Sequence, residues 1–122
     1  MTTPATVRTV LLVDDDHDVH MFVKTVFRRL KRADLHLEFA PDGHAAVQAL
    51  DRHGDRLGLI LTDLNMPRMD GHGLISAARA AGYAGPIILI GGVPEAGHAA
   101  DEWVPKDDLL AALPALVERY LP

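Results

Sequence analysis

The apolar positions of this chain change period several times, and each change marks an element. Residues 7–13, VRTVLLV, form a short apolar run of the kind a buried strand carries. Val19, Phe22, Val23, Val26, Phe27 and Leu30 then recur three or four apart, which predicts an amphipathic helix over residues 16–31. Leu35, Leu37 and Phe39 alternate with His36 and Glu38, the pattern of a half-exposed strand at a sheet edge. Pro41-Asp42-Gly43 is a turn, and residues 44–52 a second helix. Residues 57–62 read as a buried strand, 71–81 as an alanine-rich helix and 86–90, PIILI, as a fourth buried strand. Residues 103–105 are a short fifth strand in which Pro105 suits an edge. Residues 107–121 form the last helix, interrupted or kinked by Pro114.

Five strands alternating with helices imply a parallel sheet covered on both faces, an α/β fold. In such sheets the ligand site lies beyond the carboxyl ends of the strands. That rule gives meaning to the stretch LLVDDDHD, residues 11–18, where an apolar run meets three consecutive aspartates. Asp14 and Asp15 follow the first strand, Asp63 the third and Lys106 the fifth. These groups are therefore expected to converge at one end of the sheet. Carboxylates held close together repel, and a divalent cation removes the conflict. Oxygen-only ligands favour Mg²⁺ or Mn²⁺ over zinc, and Mg²⁺ leaves room for phosphate oxygens. A carboxylate beside such an ion can attack a phosphoryl group, and a lysine there can neutralise the group transferred. The alternative reading of an acidic triplet is a helix N-terminus capped by aspartate; it suits Asp16.

Composition narrows the classes. The 122 residues suffice for one domain, residues 1–122, with its own core. Cysteine is absent, which excludes disulfide and thiolate chemistry. No apolar stretch has the length of a membrane span, and the first residues lack the segments of a secretory signal, so a cytoplasmic protein without membrane contact is expected. A net charge of −5 argues against a broad grip on nucleic acid. No appended DNA-binding domain is expected at this length.

Three motifs carry a resemblance: VLLVDDDHDV (residues 10–19), LILTDLNMPRMDG (59–71) and WVPKDD (103–108). In this order and over essentially the whole chain they resemble the receiver domain of two-component response regulators. The resemblance implies a flavodoxin-like, doubly wound sheet of strand order 2-1-3-4-5. It also implies roles. Asp63 is the phosphoacceptor. Asp15 is a direct Mg²⁺ ligand and Asp14 a ligand through water. Asn65 gives its backbone carbonyl to the metal and its side chain to the phosphoryl group. Lys106 pairs with Asp63 and then with the phosphoryl oxygens. Met66-Pro67 and Asp70-Gly71 shape the loop into the third helix.

The chain departs from the family in three places. Receivers usually end the fourth strand with Thr or Ser, whose hydroxyl binds the phosphoryl group and starts the switch. Here Gly91 stands there, and Gly92 offers only its backbone N–H. Thr62 points to the opposite face from Asp63 and is no substitute. Next, GVPEAGHAADEW (residues 92–103) is short, rich in poor helix formers and without an apolar stripe. The helix between the fourth and fifth strands is expected to be absent or reduced to a turn, with residues 93–102 a mobile loop. This resembles single-domain receivers in which a loop replaces that helix. Finally, Lys106 is followed by Asp107 instead of Pro, and Asp107 is expected to cap the last helix. Trp103 falls where many receivers carry a switch Tyr or Phe; a half-buried core aromatic is the alternative.

His17, His20, His53, His72 and His98 show no convincing metal spacing and read as surface or loop histidines. The leading reading is a stand-alone response regulator. It is a phosphoacceptor and not an enzyme, served by a histidine kinase or phosphotransfer protein and acting on a downstream protein the sequence does not name. The alternative is a receiver-like binding module that does not switch. A haloacid-dehalogenase-like phosphatase would need a second aspartate two residues after Asp63, where this chain has Asn65.

Overall fold

The computed structural model describes residues 7–94 and 96–122. Expectations for residues 1–6 and for Glu95 lie outside the described residues. Five strands, β1 (Arg8–Val13), β2 (Leu35–Ala40), β3 (Leu57–Asp63), β4 (Ile87–Ile90) and β5 (Glu102–Val104), form one parallel sheet of order β2-β1-β3-β4-β5. Four helices join and cover them: α1 (His17–Leu30), α2 (Gly43–His53), α3 (Gly71–Ala80) and α4 (Leu109–Tyr120). The doubly wound order expected from the resemblance is the order found.

The period-2 alternation of the central strands splits the core in two. Leu11, Val13, Ile60, Ile87 and Leu89 pack under α2 and α3; Val10, Leu12, Leu59, Leu61, Ile88 and Ile90 pack under α1 and α4. All are buried, as strands covered on both faces require. Each of the first three helices begins on an aspartate side chain. Asp16 accepts from the Asp18 N–H, Asp42 from Ala45 and Asp70 from Gly73.

Register sets the level of the site. Val13 is opposite Thr62, Asp63 opposite Ile90, and Ile90 opposite Val104. Asp14 therefore stands level with Asp63, and Gly91 and Pro105 leave the sheet one residue beyond it.

The crossover from β4 to β5 carries no helix among the described residues of 91–101, only bends and a turn. None is needed. β4 is about 13 Å long, and a chain of this length spans up to about 36 Å when extended. The returning end is pinned: Asp101 N–H donates to the Ile87 carbonyl at 2.8 Å, and Ile87 N–H donates to Asp101 Oδ2 at 2.8 Å.

Three local expectations need correction. Phe22 is 56% exposed and not part of the core, because Val19, Val23, Val26 and Leu30 already fill the stripe facing the sheet. Asp107 does not cap the last helix; residues Lys106–Asp108 make a 3₁₀ turn, and α4 starts at Leu109 with no side-chain cap. Pro114 does not interrupt α4, which runs through it with Pro114 on the exposed side. No helix among the described residues is long and apolar enough to cross a membrane.

Candidate functional site

At the carboxyl end of the sheet, one oxygen from each of Asp14, Asp15 and Asp63 falls within a mutual 4.8 Å. The three carboxylates differ in environment. Asp14 is wholly buried, Asp63 is 6% exposed and Asp15 is exposed. Asp14 Oδ1 accepts the Asp16 N–H at 2.8 Å, whereas Oδ2 is buried without a hydrogen-bond partner. Lys106 Nζ lies 3.5 Å from that Oδ2, 3.8 Å from Asp63 Oδ2 and 4.0 Å from Asp16 Oδ2. At 3.5 Å the Asp14 contact is an ion pair too long for an ordinary hydrogen bond. The lysine is thus nearer to Asp14 than to the Asp63 partner expected for it, and it is shared among all three.

Burial raises the Asp63 carboxyl above its usual range; the Asn65 N–H, 3.2 Å from Oδ1, opposes this, and the Asp14 charge adds to the rise. Burial pulls Lys106 down, but the charges of Asp14, Asp63 and Asp16 outweigh it and lift it above its ordinary value. The cluster is short of positive charge in its interior. An orphaned buried carboxylate oxygen beside two more carboxylates, with oxygen donors only, fits a hard divalent cation.

Asp63, Asn65, Gly91, Gly92, Pro105, Lys106 and Asp107 line an open depression over the Asp63 carboxylate. Two glycines make the close backbone approaches around Asp63 possible. A Cβ on Gly71 would lie 2.9 Å from the Asp63 carbonyl oxygen and 3.0 Å from Leu64 Cα, so α3 can start this close behind β3 only from glycine. Gly91 has φ +127°, a conformation that L side chains rarely adopt, and its Cβ would stand 3.2 Å from Asp63 Oδ1. The backbone at 91 has thus adopted a shape that excludes the usual hydroxyl residue.

Thr62 turns away, as its parity requires; its hydroxyl donates to the Asp63 carbonyl at 3.0 Å. Trp103 is 37% exposed, and its indole N–H donates to the Gly91 carbonyl oxygen at 3.0 Å. The tryptophan is therefore tied to the backbone at the rim of the depression. The residue the sequence reading missed is His20, set aside as a surface histidine. Its Nε2 lies 2.6 Å from the Asp14 carbonyl oxygen. Its position at the end of the first turn of α1, close after β1 in the chain, was the available signal.

Comparison with known proteins gives concordant results. A family model described as the response regulator receiver domain matches residues 10–102. The transcriptional regulatory protein PrrA of Mycobacterium tuberculosis is 32% identical, with 99% of this chain and 53% of that protein covered. The response regulator MprA of Mycolicibacterium vanbaalenii is 30% identical, with 93% and 52% covered. The chain thus spans about half the length of the curated relatives it matches. Among solved structures, the Vibrio cholerae chemotaxis protein CheY4 superposes with a TM-score of 0.78 at 22% identity, covering 95% of this chain and 100% of that one. The receiver domain of the hybrid histidine kinase CckA gives 0.78 at 23%, covering 93% and 99%. At these identities the structural likeness concerns the fold.

Proposed function

Because the chain belongs to the response regulator receiver domain family, we propose that it accepts a phosphoryl group on Asp63 from a histidine kinase or phosphotransfer protein in a Mg²⁺-dependent reaction. It then signals by binding another protein, as a cytoplasmic phosphoprotein of a two-component system. The stand-alone form and the identity of the downstream protein belong to the same proposal. The observation that carries it is the buried Asp14 carboxylate, which has an Oδ2 without a hydrogen-bond partner and brings one oxygen within 4.8 Å of oxygens of Asp15 and Asp63.

Each residue has a task. Asp15 would touch the ion, Asp14 hold it through water and the Asn65 carbonyl complete the protein ligands. When bound, Mg²⁺ supplies charge neutralisation for the carboxylates and the phosphoryl oxygens. An Asp63 carboxylate oxygen forms the new O–P bond as the P–N bond of a phosphohistidine donor breaks. The electron pair leaves on the imidazole nitrogen, which takes up a proton. Asn65 N–H holds Oδ1 and so orients the carboxylate. Lys106 moves its charge from Asp14 and Asp63 onto the phosphoryl oxygens. Gly92 presents a backbone N–H where no hydroxyl is available.

The test is incubation with Mg²⁺ and acetyl phosphate, read by intact mass. One phosphoryl group per chain is expected, and none in Asp63→Asn. Undiminished labelling in that variant would overturn the assignment. A second reading, a binding module that does not switch, is favoured by Gly91 alone, since its backbone conformation leaves no hydroxyl to move. It is separated from the first by the measurement that closes the Discussion.

A further inference from the structure

His20 stands outside the acidic cluster, yet it holds the peptide that joins the two aspartates after β1. A carbonyl oxygen only accepts, so the Nε2 that lies 2.6 Å from the Asp14 carbonyl carries the proton and donates. The ring also stacks on Phe39 of β2, with centroids 4.5 Å apart and planes 13° from parallel. Two contacts therefore fix its orientation. The sheet register explains why this carbonyl takes a side-chain donor. Val13 pairs with Ala40, and Asp14 N–H donates to the Ala40 carbonyl at 3.0 Å. A continuing parallel ladder would next offer the Asp14 oxygen the N–H of residue 42. However, β2 ends at Ala40, and Asp42 caps α2. The imidazole N–H takes the place of the missing strand.

The consequence falls on Asp15. The Asp14 carboxylate has its own restraints, the Asp16 N–H and Lys106. Asp15 is exposed, and among the described residues its carboxylate makes no hydrogen bond or ion pair. The backbone, through the 14–15 peptide, sets the direction of its Cα–Cβ bond and so the region the carboxylate can reach. We propose that His20 is a positioning residue for the cation site. By donating to the Asp14 carbonyl it stops that peptide from rotating, and so keeps the Asp15 carboxylate beside those of Asp14 and Asp63. This deepens the proposed phosphotransfer and rests on it only for the effect on rate; the effect on cation affinity is independent.

Two substitutions separate the donor from the ring. His20→Phe keeps the stack on Phe39 and loses the N–H. His20→Gln loses the stack and keeps an N–H at similar reach. Mg²⁺ affinity is measured by calorimetry for both variants and the wild type at one pH, with urea unfolding of each to establish that it folds. His20→Phe is expected to weaken Mg²⁺ binding about tenfold, the usual scale for a residue that orients a ligand, and His20→Gln to retain the wild-type affinity. With acetyl phosphate, His20→Phe is expected to be slow at limiting Mg²⁺ and to reach the wild-type rate at saturation. Unchanged affinity in His20→Phe, or equal loss in both variants, overturns the inference, as does a wild type that binds no Mg²⁺. A wild type that binds Mg²⁺ and takes no phosphoryl group overturns the proposed function instead, while the affinities still decide the role of His20.

Discussion

Asp63 is a carboxylate held in a place that disfavours its charge. Burial is the largest cause, the Asn65 N–H offsets part of it, and Asp14 worsens it. A carboxyl whose folded pKa lies above its unfolded value binds more protons folded than unfolded, so its contribution to stability falls as pH rises through and above the ordinary carboxylate range. Asp63→Asn removes that cost. The variant should have a higher urea midpoint than the wild type at pH 7, and the difference should shrink below about pH 4, where the wild-type carboxyl is protonated in both states. A gain equal at pH 3 and pH 7 would show that charge is not the cause. The convergence of Asp14, Asp63 and Lys106 was legible in the sequence, because strand ends are readable from apolar runs and a parallel sheet collects them. The shape of Gly91 was not. Its absence of a hydroxyl is visible in a sequence, but φ +127° and the 3.2 Å approach of its Cβ site to Asp63 Oδ1 are properties of the folded backbone.

Among the elements, the helices show where local rules hold and where packing overrides them. The aspartates ahead of α1, α2 and α3 cap them through ordinary side-chain bonds. The last helix was misread at Asp107, and at Pro114 it continues without interruption. The 3₁₀ turn Lys106–Asp108 absorbs the start, so α4 begins late and uncapped. It then tolerates Pro114 because Leu109, Leu113, Leu116 and Val117 are buried against the sheet, and their contacts outweigh one lost backbone bond. Pro114 lies beyond the first turn, so its missing N–H leaves the Leu110 carbonyl without its helical donor. Pro114→Ala restores that donor on the exposed side and should stabilise the protein by about 1–3 kcal/mol, read by urea unfolding. A loss of stability would mean that the proline itself is required for α4 to fit the sheet. Phe22 was misread because helical spacing alone does not say how wide a stripe the sheet can cover.

At the scale of the whole molecule, one segment joins the site to the outer surface. The edge position of β2 and the lack of a crossover helix among the described residues could be read from apolar pattern and from glycine and proline content, whereas the strand order followed only from the resemblance to the receiver family. What joins the crossover to the site could not be read, because it is made by single contacts. Gly91 N–H donates to the Val104 carbonyl at 3.1 Å, and the Trp103 indole donates to the Gly91 carbonyl at 3.0 Å. At the other end Asp101 is tied to Ile87. Between these anchors Val93 is 81% exposed and Gly97 has φ +76°, so little apolar contact supports the middle. Within the expected mobile loop, residues 93–94 and 96–100 are therefore expected to exchange between conformations in the resting protein, while Asp101 and Glu102 are held by β4. A phosphoryl group on Asp63, held by Lys106 and the Gly92 N–H, would pull on the same short backbone that Trp103 holds and shift the segment toward one ordered arrangement. Trp103 is the only tryptophan in the chain, so its emission reports on this bond without labelling. Beryllofluoride, a stable mimic of the phosphoryl group, should quench the exchange seen in backbone relaxation dispersion and change the Trp103 emission. Asp63→Asn should show neither response. A segment already rigid without the mimic, or one whose motion and Trp103 emission ignore it, would remove the switch and leave the non-switching binding module as the reading of this receiver.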